Sequence, residues 1–113
     1  MQELTGPGAV ALAETQAALA APLVLLDVRE PWEIALAAIE LPAAITRFVP
    51  MRELPARLGE LDPMQPVVCI CHHGARSAQV VAFLERIGFD SAYNLAGGID
   101  AWSREVDPGV ARY

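Results

Sequence analysis

Val67-Val68-Cys69-Ile70-Cys71 runs directly into His72-His73-Gly74-Ala75-Arg76-Ser77, and the change of residue type across this join decides the fold. Five consecutive apolar residues with no polar alternation are the pattern of a strand buried on both faces, as in a parallel sheet. From near Ser77 the period changes. Val80, Val81, Leu84 and Ile87 recur at helical spacing on one face, and Gly88 supplies the stop. The segment therefore predicts a buried strand, a short loop with a glycine at its centre, and an amphipathic helix.

Working outward, Leu23 to Asp27 is a second continuous apolar run ending in a charge, and Tyr93 to Leu95 reads as a last short strand. Gln2 to Leu4 offers an edge strand. Thr5 and Pro7 form a helix start, with Ala9 to Ala20 as the helix. A short helical turn follows Pro31, a strand is expected around Ala43 to Ile45, and Met51 to Leu61 reads as a helical stretch broken by Pro55 after Pro50. Gly97 and Gly98 turn into a final helix carrying Ile99 and Trp102. Strands alternating with helices predict an α/β fold with a mostly parallel sheet and helices on both faces. Ligands bind such sheets at the carboxyl ends of the strands, so Cys71, the pair Asp27 and Arg29, and the segment Asn94 to Gly98 should meet at one mouth. The segment from Asp107 to Tyr113 lacks periodicity and is expected along the surface.

The 113 residues fit one domain, 1–113, large enough to bury a core without disulfides or structural metal. Apolar residues make up 54% of the chain, yet the longest apolar run, Ala17 to Leu26, is ten residues interrupted by Pro22, too short to span a membrane. No basic head precedes an apolar stretch at the N-terminus, so a cytoplasmic location is expected. The net charge is −6 and every fixed cation is arginine, which argues against a non-specific nucleic-acid surface. The alanine-rich, lysine-free composition points to a GC-rich bacterial genome. Cys69 and Cys71 are too close in sequence to staple the fold, so in a reducing compartment their interest is chemical.

The chemistry of the loop can be argued from its residues. A strand-loop-helix turn through Gly74 can curl successive N–H groups inward on the Cys71 sulfur, and the helix N-terminus adds partial positive charge. Both favour thiolate, which makes Cys71 the expected nucleophile. The amides of residues 72 to 77 should converge on the sulfur, and a Cys71 side chain sealed from solvent would contradict the reading.

Three motifs, Leu25-Leu26-Asp27-Val28-Arg29-Glu30-Pro31-Trp32-Glu33, Cys71-His72-His73-Gly74-Ala75-Arg76-Ser77 and Asn94-Leu95-Ala96-Gly97-Gly98-Ile99-Asp100-Ala101-Trp102, occur in the order found in the rhodanese homology family, which this chain resembles. The resemblance spans Leu25 to Trp102. It implies a five-stranded sheet flanked by helices, and a sulfur cradle formed by His72, His73, Gly74, Ala75, Arg76 and Ser77 around Cys71, with Asp27, Arg29, Gly97 and Gly98 in support. One stretch departs from the family: Ile39-Glu40-Leu41-Pro42-Ala43-Ala44-Ile45 lacks the usual histidine and both glycines, which bears on substrate preference more than on fold.

The implied activity is sulfur transfer by double displacement. Cys71 takes the outer sulfur of thiosulfate or a persulfide donor, and a cyanide or thiol acceptor removes it. No metal or organic cofactor is required, and two cysteines and two histidines within five residues at one strand end cannot readily surround a tetrahedral zinc ion. Against the negative chain, Arg76, the loop amides and charged His72 or His73 would supply local attraction for an anionic donor. Two other readings compete. One is a sulfur-carrier or regulatory module that binds a protein, such as a sulfur-relay partner; the other is a small oxyanion enzyme acting on arsenate or phosphate. Tyrosine phosphatases space cysteine and arginine by five residues, whereas four separate Cys71 from Arg76, a tighter ring suited to one sulfur.

Plainer roles stand beside these. Cys69 reads as a small core residue. Arg76 could brace the loop through Glu30 or Glu33, Asp27 and Arg29 could hold it from the neighbouring strand end, and the two histidines could be bystanders. Gly97 and Gly98 permit a tight turn, and Trp32 and Trp102 read as packing residues.

Overall fold

In the computed structural model, which describes residues 1–113, every strand pairs in parallel with its neighbour, in the order β1 (Gln2–Leu4), β5 (Ala92–Leu95), β4 (Val67–Ile70), β2 (Val24–Asp27), β3 (Ile45–Phe48). The two continuous apolar runs take the inner positions. All four residues of β2 and all four of β4 are buried, because helices cover both faces.

Alternation along the strands divides the core in two. Val24, Leu26, Val67, Cys69 and Cys71 face one way, toward Val80, Val81 and Leu84 of α3 (Ala75–Arg86) and Leu54 of the 3₁₀ helix Met51–Glu60. Leu23, Leu25, Val68, Ile70 and Leu95 face the other way, toward Ala9 and Ala13 of α1 (Gly6–Ala18) and Ile99 and Trp102 of α4 (Gly98–Glu105). The remaining helix, α2 (Pro31–Leu36), follows β2 directly. In register, Asp27 stands beside both Ile70 and Phe48, and Cys69 beside Asn94, so the carboxyl ends of β2, β4 and β5 lie together as the open-sheet rule requires.

Several elements differ from expectation, each for a local reason. Helix α1 starts at Gly6 rather than Ala9, because the Thr5 hydroxyl accepts from the Gly8 amide at 3.0 Å and Pro7 is preformed for a first turn. It ends at Ala18, since Ala20 turns into the left-handed region at φ 56°. Strand β3 begins at Ile45, where it was expected to end; the Ala44 amide donating to the Leu41 carbonyl closes a turn over the residues assigned to the strand. Ile87 is 44% exposed rather than on the buried face, because the chain leaves the helix there and Phe89 takes the core position. Trp102 packs in the core as expected, but Trp32 is 63% exposed. The last segment is anchored rather than loose on the surface: Val110 is buried and its carbonyl accepts from Ser103 Oγ at 2.6 Å.

Candidate active site

Cys71 is the first residue after β4, and its side chain keeps the α3 side of the sheet. The chain reverses at Gly74, whose φ of 108° is one that L side chains rarely adopt, and this brings the Gly74 amide to 3.0 Å from Cys71 Sγ. Ser77, buried in the first turn of α3, places its hydroxyl 3.2 Å from the same sulfur. That hydroxyl also lies 2.5 Å from Asn94 Oδ1, while Asn94 Nδ2 donates to the Gly74 carbonyl at 3.1 Å. Ser77 has one proton to give. With a thiol it can donate to Asn94 and accept from sulfur; with a thiolate it can turn that proton to the sulfur.

The back of the loop is fastened by α4. Ile99 N donates to the Cys71 carbonyl at 2.9 Å and Asp100 N to the His72 carbonyl at 3.1 Å. This close approach needs Gly98, at φ 63°, because a Cβ there would overlap the carbonyls of Cys71 and His72. Gly97, at φ 73°, completes the turn.

Two expectations of the loop are corrected here: of the amides of residues 72 to 77 only that of Gly74 reaches the sulfur, joined by the Ser77 hydroxyl, and Cys71, 1% exposed, is sealed from solvent, the arrangement that counts against a freely accessible nucleophile. The side chain packs in the apolar cluster under α3 with Ser77 beside it, and the exposed residues His73 and Ala75 form the outer side of the loop. None of the surface clefts is lined by residues 71–77. Cys69 is fully buried, and burial pushes its thiol up.

Both arginines of the motifs are engaged by carboxylates. Arg29, 0% exposed, donates from Nε to Asp27 Oδ1 at 2.9 Å and from Nη2 to Asp27 Oδ2 at 2.7 Å, which braces the loop after β2. Arg76 donates to both oxygens of Glu33, at 2.6 and 2.7 Å. Glu33 is 3% exposed, and the Arg76 guanidinium holds its carboxyl down at about 2.

Tyr113 is the contributor that sequence reasoning missed. Its hydroxyl donates to Glu33 Oε2 at 2.8 Å and accepts from Arg29 Nη1 at 3.1 Å. Its ring stacks on His72 at 3.9 Å, and His72 stacks in turn on His73 at 3.9 Å. Trp32 meets the Tyr113 ring edge-on at 6.5 Å. Asn94 was expected near the mouth, but nothing local in the sequence ties it to Ser77.

The model of the rhodanese-like domain matches residues 11–105. The chain belongs to this family. The rhodanese-like domain is 42% identical over 89 residues to a sulfurtransferase of Allochromatium vinosum, covering 79% of each chain. It is 40% identical over 93 residues to the rhodanese-like/PpiC domain-containing protein 12 of Arabidopsis thaliana, covering 79% of this chain but only 30% of that longer protein. Among solved structures, the polysulfide-sulfur transferase of Wolinella succinogenes superposes with a TM-score of 0.75 at 30% identity, over 93% of this chain and 74% of the other. Relatives of this domain thus include sulfurtransferases, which supports sulfur transfer as the general kind of reaction at the level of the family.

Proposed function

We propose that the domain transfers sulfane sulfur through a persulfide on Cys71. The observation that carries this reading is the placement of Cys71 Sγ at the foot of α3, within reach of the Gly74 amide and the Ser77 hydroxyl. Both donors favour an anion at that position, whether the thiolate of the free enzyme or the charged outer sulfur of the loaded one.

In the first displacement the Cys71 thiolate attacks the outer sulfur of thiosulfate or a persulfide. The donor's sulfur–sulfur bond breaks, its electron pair leaves with sulfite or thiolate, and Cys71–S–S⁻ remains. In the second, cyanide or a thiolate attacks that outer sulfur and Cys71 regains its charge. The loop then needs room for one added sulfur only, which agrees with a cradle that opens into no large cleft. Because Cys71 is enclosed, the loop must yield slightly to admit the reacting atom.

Intact-mass measurement after thiosulfate or polysulfide treatment tests this directly. One added sulfur that is removed by cyanide is expected, and Cys71→Ser should abolish it. Absence of the adduct with every donor would overturn the proposal. The enclosed sulfur also favours a second reading, a carrier module that exchanges sulfur with a protein partner and turns over small donors poorly. It predicts a stable Cys71 persulfide with slow release to cyanide and faster release to a sulfur-relay protein. An oxyanion enzyme would instead hydrolyse an aryl phosphate or reduce arsenate in a Cys71-dependent manner, which the short spacing to Arg76 disfavours.

A further inference from the structure

Deep cations at the mouth of the cradle are already neutralised. Arg29 is spent on both oxygens of Asp27, and Arg76 on both oxygens of Glu33, a carboxylate that Tyr113 also holds. Farther out, Arg104 and Arg112 both engage Asp100, and Arg52 engages Glu30. Those three arginines are more than half exposed, so water and salt weaken their field at the sulfur. The chain as a whole carries −6. What remains in contact with Cys71 Sγ is a neutral amide and a neutral hydroxyl at the start of α3, and the titratable groups beside them, His72 and His73, are stacked on each other and on Tyr113.

The rim of the mouth has the opposite character. Trp32, Tyr113, His72 and His73 form a continuous row of rings, with an edge-on contact followed by two stacks, and the outermost ring is largely in water. Such a row offers area to an organic group attached to the reacting sulfur and offers little to a small, fully hydrated dianion.

Building on the sulfur-transfer reading, we infer that the cradle favours sulfane donors with a single negative charge and an organic group, R–S–S⁻ or R–SO₂–S⁻, over the dianion thiosulfate, and that Glu33 sets this preference by occupying Arg76. The transfer balances for either class. Cys71–S⁻ and R–SO₂–S⁻ give Cys71–S–S⁻ and R–SO₂⁻; Cys71–S⁻ and R–S–S⁻ give Cys71–S–S⁻ and R–S⁻.

The experiment compares kcat/KM for thiosulfate and for benzenethiosulfonate, with cyanide as common acceptor and across a range of ionic strength. In the wild-type protein, thiosulfate turnover should rise as salt screens the repulsion. Glu33→Gln frees the Arg76 guanidinium, so kcat/KM for thiosulfate should rise about fivefold and that for benzenethiosulfonate about twofold, since the added attraction scales with donor charge. The double variant Glu33→Gln with Arg76→Gln leaves no charge unpaired and should return the ratio of the two donors to within about twofold of wild type. Because it retains hydrogen-bonding groups at both positions, it keeps the test available if the single variant does not fold. Trp32→Ala should lower turnover of benzenethiosulfonate more than that of thiosulfate. An unchanged donor ratio in Glu33→Gln would show that the Glu33–Arg76 pair does not set the preference, and a selective loss of thiosulfate turnover in the double variant would show Arg76 to be a direct anion ligand; either result overturns the inference. If neither donor loads Cys71, the sulfur-transfer reading itself fails, and this inference with it.

Discussion

The Cys71 sulfur, the Ser77 hydroxyl and the Asn94 amide share one proton chain, and its shortest link, 2.5 Å, is the one that leaves sulfur out. Ionising Cys71 draws the Ser77 proton toward the sulfur. A hydrogen bond to a charged group contributes about 1.5 to 3 kcal/mol, so Ser77→Ala should slow persulfide formation by about tenfold or more, measured by quenched mass analysis at fixed pH. A rate within twofold of wild type would remove Ser77 from the chemistry. Glu33 carries a pH dependence whose sign follows from its lowered carboxyl, about 2 against an ordinary 4.5. Its charged, paired form stabilises the fold at all pH above about 4.5, by about 3 kcal/mol, and that contribution is lost as pH falls toward 2. Urea unfolding at pH 7 and pH 3 should record the drop, and Glu33→Gln should flatten it. At this scale the nucleophilic loop was legible because its residues are contiguous. The partner of Arg76 was open between Glu30 and Glu33, and Tyr113 was invisible, because contacts across 43 or 80 positions leave no local mark.

Elements impose a second set of demands, most sharply where α4 meets the cradle. Gly98→Ala would add a Cβ into two carbonyls while holding φ at 63°, so the turn must shift and the Ile99 and Asp100 amides lose their grip on the loop. A loss of about 2 kcal/mol or more is expected, together with faster alkylation of Cys71 as the loop loosens. The opposite change is available at the end of α1. Ala20 sits at φ 56°, where L residues are strained by about 1 kcal/mol, so Ala20→Gly should stabilise by about 0.5 kcal/mol once its extra unfolded-state freedom is subtracted. Thermal denaturation of the two variants should shift in opposite directions. Helix and strand types were readable from apolar periodicity, whereas boundaries moved wherever a side chain or turn captured a backbone group. Thr5 lengthened α1, and the Leu41–Ala44 turn delayed β3.

For the whole molecule, the governing feature is a sheet buried on both faces, with one apolar cluster under α3 and the 3₁₀ helix and another under α1 and α4. Continuous apolar runs foretold that double burial, but the order β1-β5-β4-β2-β3 follows from which helix crosses which face, and strand patterns alone do not contain it. Two clusters separated by a backbone layer should respond independently to small defects while unfolding together. Leu84, fully buried in the first cluster, should cost about 3 kcal/mol on truncation to Ala, and Ile99, in the second, about 1 kcal/mol as Val. Since the two side chains share no cluster, the double variant should lose the sum to within about 0.5 kcal/mol. A single transition is still expected, because β2, β4 and β5 each donate side chains to both clusters through the same hydrogen-bonded layer. Chemical denaturation followed by tryptophan fluorescence reports this, with Trp102 in the second cluster and Trp32 at the active-site rim. A coupling above about 1 kcal/mol would mean that strain crosses the sheet through β4 and reaches Cys71 from either face.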